Sequence, residues 1–123
     1  VILGKFKTNL TSFLDEMIDS FNLPELIIFR VGVTTAPIDK IIGEFIINVL
    51  PYKQYARDRD VDFYTHIVKG CDHRLKDSIV SIQRILTSNS VDEDTKNVIW
   101  SWFDQFIKLS QVYKDTREKE LLQ

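Results

Sequence analysis

The chain has 123 residues, 44% of them apolar and 28% charged, a globular composition of ordinary single-domain size. A net charge of −2 and an isoelectric point near 5.7 exclude nucleic-acid binding through bulk charge and leave only a local basic face for it. One cysteine, Cys71, allows no internal disulfide and fits a reducing compartment, and no apolar run reaches the roughly 18 residues a membrane span needs. The opening "VIL" is too short for a signal-peptide core, and Lys5 and Lys7 follow it instead of preceding it.

From Thr8 onward, Leu10, Phe13, Leu14, Met17, Ile18 and Phe21 keep the spacing of an amphipathic helix, with Thr8 or Asn9 as its cap. "FNLPEL" breaks that helix and sets Pro24 to open the next. The segment "PELIIFRVGVTT" is rich in β-branched residues and would suit a strand, but no hairpin signal offers it a partner; it reads as helix. In "TTAPIDKIIGEFIINVLPY", Pro37 takes the first helical position. Ile38, Ile41, Ile42, Phe45, Ile46, Val49 and Leu50 form one wide apolar face, and Pro51 ends or bends the helix. A short helix over Tyr52 to Arg57 follows, then a loop or short helix over Asp60 to Val68, with Gly70 as a stop. The helical rhythm resumes through Leu75, Ile79, Ile82, Ile85 and Leu86. Ser90 with Glu93 makes a capping-box pattern before a last helix over roughly Val91 to Lys114. The expectation is one all-α domain, a compact bundle of five or six helices. Its core lies between residues 8 and 114, and residues 115–123 form a charged tail.

Three groupings carry the residue types of chemistry. Asp58, Asp60 and Asp62 start a D-x-D-x-D run, but an EF-hand loop needs glycine at its sixth position and glutamate at its twelfth. Phe63 and Lys69 stand there, or Thr65 and Cys71 if the count starts at Asp60. Arg57 and Arg59 interleave with the acids and would neutralise them, which reads as an ion-paired loop. His66, Cys71 and His73 are three zinc-type ligands with only Asp72, awkwardly placed, as a fourth. Cys71 beside a histidine lacks any nucleophile motif around it, and glycine-rich phosphate loops are missing. No catalytic residue, metal ligand or cofactor is assigned, and the chain reads as a non-enzyme.

The last helix says more. At about 100° per residue, Val98, Ile99, Trp102, Phe103, Phe106, Leu109 and Tyr113 share one arc, while Trp100 and Ile107 sit on its flank. That flank is either covered by the chain's own helices or left to meet a partner, and tryptophan is enriched among interface anchors. Tyr52, Tyr55, Phe63 and Tyr64 form a second aromatic group, on the surface or beneath the loop. Trp100, Ile107 and Tyr64 are the candidate partner-binding residues.

"FLDEMIDSF", "IIGEFIINVLPYKQYARDRDVDFY" and "NVIWSWFDQFIKLSQ" together resemble an uncharacterised helical protein family of large nucleocytoplasmic DNA viruses, the algal and giant viruses. The shared features are a helix ending in Leu50, Pro51 and Tyr52, an Asp (Asp60 or Asp62) before Phe63 and Tyr64, and the apolar helix around Ile99 and Trp100. The resemblance implies a setting in the virion and the host cytoplasm. It also implies a structural role as a minor capsid or internal virion component that binds other viral structural proteins or itself. The alternative is an accessory or regulatory adaptor that binds a host protein or nucleic acid.

Overall fold

The computed structural model describes residues 1–71 and 73–122, with side chains for all of these except His73 and Arg74. Helix α1 spans Ile2–Phe21 and starts well before Thr8. The reason is that the apolar rhythm reaches upstream: Phe6 lies one turn before Leu10 and is buried with it, as are Phe13, Leu14 and Met17. Thr8 and Asn9 are therefore interior helix residues, not caps, and the core extends ahead of residue 8. The helix stops at Asn22, whose left-handed backbone (φ 48°, ψ 48°) is one asparagine tolerates, and the Asn22 N–H closes on the Ile18 carbonyl at 2.8 Å.

Helix α2, Pro24–Thr35, opens on its proline as the sequence predicts. It turns Leu26 and Val33 inward and is clamped on two sides. Ser78 Oγ donates to the Glu25 carbonyl at 3.1 Å and Ser81 Oγ donates to Glu25 Oε1, while Arg30 Nε donates to Asp15 Oδ1 at 2.8 Å. The Ser81 hydrogen bond, aided by a backbone hydrogen bond and by Arg84, holds the Glu25 carboxyl below its ordinary pKa. These clamps set the rotation of α2 about its axis.

Helix α3, Ile38–Asn48, begins one residue after Pro37, which serves as its cap. Pro51 does not simply end it. Leu50–Tyr52 tighten into a 3₁₀ turn that leads into the short α4, Lys53–Arg57. Helix α5 spans Asp62–Gly70 and α6 spans His73–Thr87. Gly70 is the last residue of α5, and Cys71 after it is extended, so it is not a left-handed helix stop. A Cβ on Gly70 would lie 2.5 Å from Asn48 Oδ1, so a larger residue would have to displace the Asn48 side chain.

The last helix, α7, runs Glu93–Leu122 and takes the charged tail into one continuous helix. Its cap is Asp92, not Ser90. The Thr95 N–H donates to Asp92 Oδ1 at 2.7 Å, and hydrogen bonding from the Thr95 side chain, with this backbone bond, lowers the Asp92 pKa, while the Ser90 N–H and hydroxyl turn to Ser88 Oγ.

The chain is all-α, with six helices of nine residues or more among the described residues besides the five-residue α4. Its helices close a ring. Helix α7 packs on α1, α1 on α2, α2 on α6, α6 on α5, α5 on α4, and α4 returns to α7; α3 lies against both α1 and α7. The core that fills the ring is aromatic. Phe106 stands edge-on or tilted to Phe6, Phe13, Phe45 and Phe103, with ring centroids 5.5–5.9 Å apart. Edge-on placement of this kind favours the positive rim of one ring against the negative face of the next.

Candidate functional site

The three aspartates shape a turn. Asp58 Oδ1 accepts from Gln54 Nε2 at 3.1 Å, and Asp60 Oδ1 accepts from the Asp62 N–H at 3.0 Å, an Asx turn that starts α5. Asp62 itself lies in the first helical turn, where a negative charge meets the positive end of the helix dipole. Among the described residues no three His, Cys, Asp or Glu side chains gather as a metal set. Arg59 does not neutralise the row. It adopts a left-handed backbone (φ 55°) and reaches α7, where Nη1 and Nη2 each donate to Asp104 at 2.8 Å. The paired hydrogen bonds strengthen the guanidinium's hold on its charge.

His66 stacks on Tyr52, with ring centroids 4.8 Å apart and 9° between planes, and meets Tyr55 at 4.7 Å. Cys71 is half-buried and lines a small apolar cavity with Phe29, Val49 and Ile67. Asp72 and the side chain of His73, the other members of the zinc-type grouping, lie outside the described residues.

The three partner-binding candidates are core residues: Trp100 is 5% exposed, Ile107 8% and Tyr64 0%. This corrects the assignment of Trp100 and Tyr64 as surface anchors; Ile107 is buried too, except for an edge that opens on a groove between α4 and α7. The covered arc of α7 comprises Ile99, Trp100, Phe103, Phe106, Ile107, Leu109 and Ser110, so it is turned toward the flank that the sequence leaves uncovered, while Val98 is half exposed. The cover is tertiary. The Arg59 guanidinium lies 5.6 Å over the Trp100 ring, and Phe63 and Tyr64 from α5 pack on the same ring. The second tryptophan, Trp102, is also spent inside the fold, donating through Nε1 to Glu16 Oε2 at 2.9 Å across the α1–α7 seam.

Tyr64 carries a cost. Its hydroxyl is buried with no hydrogen-bond partner among the described residues. Burial pushes its pKa well above the ordinary phenol value; the nearby Arg59 charge opposes this and Asp104 adds to it. Tyr64→Phe removes the unsatisfied hydroxyl and is expected to stabilise the fold by about 1 kcal/mol. The pH dependence follows from the sign of the shift. Above about pH 10 the unfolded phenol ionises while the folded one keeps its proton. The stability Tyr64 contributes is therefore complete below that pH and falls above it by about 1.4 kcal/mol per unit until the folded pKa is passed. Urea melts across this range should show the loss in the natural chain beyond that in Tyr64→Phe; parallel curves would mean a hydrated hydroxyl.

What the bundle leaves open is the outer face of α2. Ile27, Ile28 and Val31 are 41%, 65% and 57% exposed. Their one-, three- and four-residue spacings bring them together on one side of the helix. The Glu25 and Arg30 clamps and the buried Leu26 and Val33 hold the opposite side against α1 and α6. Sequence reasoning passed over this face because it asked only whether the segment was helix or strand. The available signal was that "LIIFRVGV" carries large apolar residues on more than one side of the helix, with Arg30 its only charge, and a helix on the surface of a bundle can cover only one side of itself. No helix among the described residues is long and apolar enough to cross a membrane. Comparison with protein-family models, with curated proteins and with solved structures finds no match for this chain.

Proposed function

We propose that the chain is a non-enzymatic structural protein that works through protein–protein contacts, with the outer face of α2 as its docking surface. The observation that carries the reading is the cluster of Ile27, Ile28 and Val31, three large apolar side chains held in water by a helix that cannot rotate. Several side-chain groupings with chemical character among the described residues have a structural use instead: the aspartates build a turn, His66 stacks between tyrosines, and both tryptophans pack against the protein's own rings or acids. A stable interface buries more than about 1,000 Å². Three side chains supply only its centre, so the partner must also cover the polar rim of α2. The likeness to proteins of large DNA viruses supports the setting: the virion and the host cytoplasm, as a minor capsid or internal component beside other viral structural proteins or a second copy of itself.

The test is the double substitution Ile28→Glu with Val31→Glu. Both side chains face water, so the thermal melt of the isolated chain should stay within about 1 kcal/mol of the natural one. Incorporation into purified particles, followed by a photo-crosslinker at position 28, should be lost. Equal incorporation of the variant, with no crosslink from position 28 to any particle protein, would reject the reading.

A further inference from the structure

A groove of about 500 Å³ opens between α4 and α7, within the size range of ligand sites. Lys53, Arg57, Arg59 and Lys108 line it against a single carboxylate, Asp104. Asp104 is already answered by the two-pronged Arg59 contact. Lys53 Nζ donates to the neutral Gln111 Oε1 at 3.2 Å, so it is positioned without losing its charge. Arg57 and Lys108 are exposed and have no ion-pair partner among the described residues. Of the acids on the same two segments, Asp58 accepts from Gln54 and Asp115 accepts from Gln111 Nε2 at 3.0 Å, and neither forms an ion pair with a groove cation. A chain of net charge −2 thus gathers three unanswered cations in one place.

The floor between those cations is apolar, built from the buried Ile107 and the half-exposed Val112. We propose that this groove docks an acidic peptide segment of a partner protein, one that seats a leucine-like side chain on Ile107 and Val112 between carboxylates facing Arg57, Lys53 and Lys108. Charge complementarity selects an anion, and the floor selects its kind. A phosphodiester backbone has no use for an apolar floor, and no aromatic ring is among the described residues lining the groove for a base to stack on. The Arg59–Asp104 pair fixes one wall in advance, so less order has to be imposed on binding.

The experiment is fluorescence anisotropy on the full chain with a short labelled peptide of glutamates bearing regularly spaced leucines. An all-glutamate peptide and an oligothymidylate of similar length are the comparison ligands. The glutamate–leucine peptide should bind saturably and more tightly than either. Arg57→Glu with Lys108→Glu should weaken it by about tenfold or more, with an unchanged melting curve. Val112→Ser should weaken the leucine-bearing peptide alone. Should the charge reversals lower the melting temperature, the Arg57→Gln with Lys108→Gln pair takes their place. The proposal falls if the peptide shows no saturable binding, if all three ligands bind equally, or if the charge variants bind as the natural chain does. It is independent of the α2 reading, because Ile28→Glu with Val31→Glu should keep full peptide affinity.

Discussion

Trp100→Ala is expected to destabilise the isolated chain by about 3–5 kcal/mol, the range for removing a large buried aromatic. Against a total stability of about 5–15 kcal/mol, the variant is partly unfolded at moderate temperature. The argument is geometric. Trp100 packs against Phe63 and Tyr64, with ring centroids 6.2 and 5.3 Å away, and carries the Arg59 guanidinium on its face. Removing the indole opens a cavity under the α4–α5 turn and takes away the surface on which Arg59 lies. That turn holds Arg59 in a left-handed backbone, a conformation that costs a non-glycine residue about 1–2 kcal/mol and is kept by the contacts of its side chain together with the backbone hydrogen bonds of the turn, Arg59 N–H to Ala56 and Asp60 N–H to Tyr55. Chemical denaturation with circular dichroism reads the loss directly. A residue whose task is to meet a partner would behave oppositely, leaving the melt unchanged and weakening only assembly.

Phe106→Ala should cost a similar amount, about 3–5 kcal/mol, and lower the melting temperature by roughly 10–20 °C. Phe106 is buried and meets rings from three helices: Phe6 and Phe13 on α1, Phe45 on α3, and Phe103 and Trp102 on its own α7. It joins α1, α3 and α7 in one contact, so the cavity cannot close by the movement of a single helix. Phe106→Leu keeps most of the volume and should lose clearly less than the alanine variant. If the two substitutions cost the same, the loss lies in the ring–ring geometry and not in the cavity. If neither moves the melt by more than about 1 kcal/mol, the ring of helices is not closed around Phe106 as described.

Element type was legible in the sequence where one physical signal dominated. The spacing of Leu10, Phe13, Leu14 and Met17 placed α1, Pro24 placed the start of α2, and the apolar positions of α3 and α6 placed those helices. Boundaries were less legible, because a cap depends on which hydrogen-bonding group arrives first. Asp92 outcompeted Ser90, and the upstream Phe6 carried α1 past Thr8. The candidate site was the least legible part. A helical wheel ranks the faces of one helix but does not say which neighbour covers them. Trp100 and Ile107 looked peripheral on α7 because the segment that shields them, with Arg59 at its tip, comes from some 40 positions earlier in the chain.

The sequence by itself determined that the chain is helical, because its apolar residues recur with the period of a helix and its prolines and turn residues separate the segments. Only the tertiary structure decided which apolar faces are hidden and which charges meet. Burial of Trp100, exposure of Ile28 and the meeting of Arg57 with Lys108 across a groove all depend on how helices rotate and pack against one another. That rotation is set by contacts between residues far apart in the chain, such as Glu25 with Ser81 and Arg59 with Asp104, which no local pattern encodes.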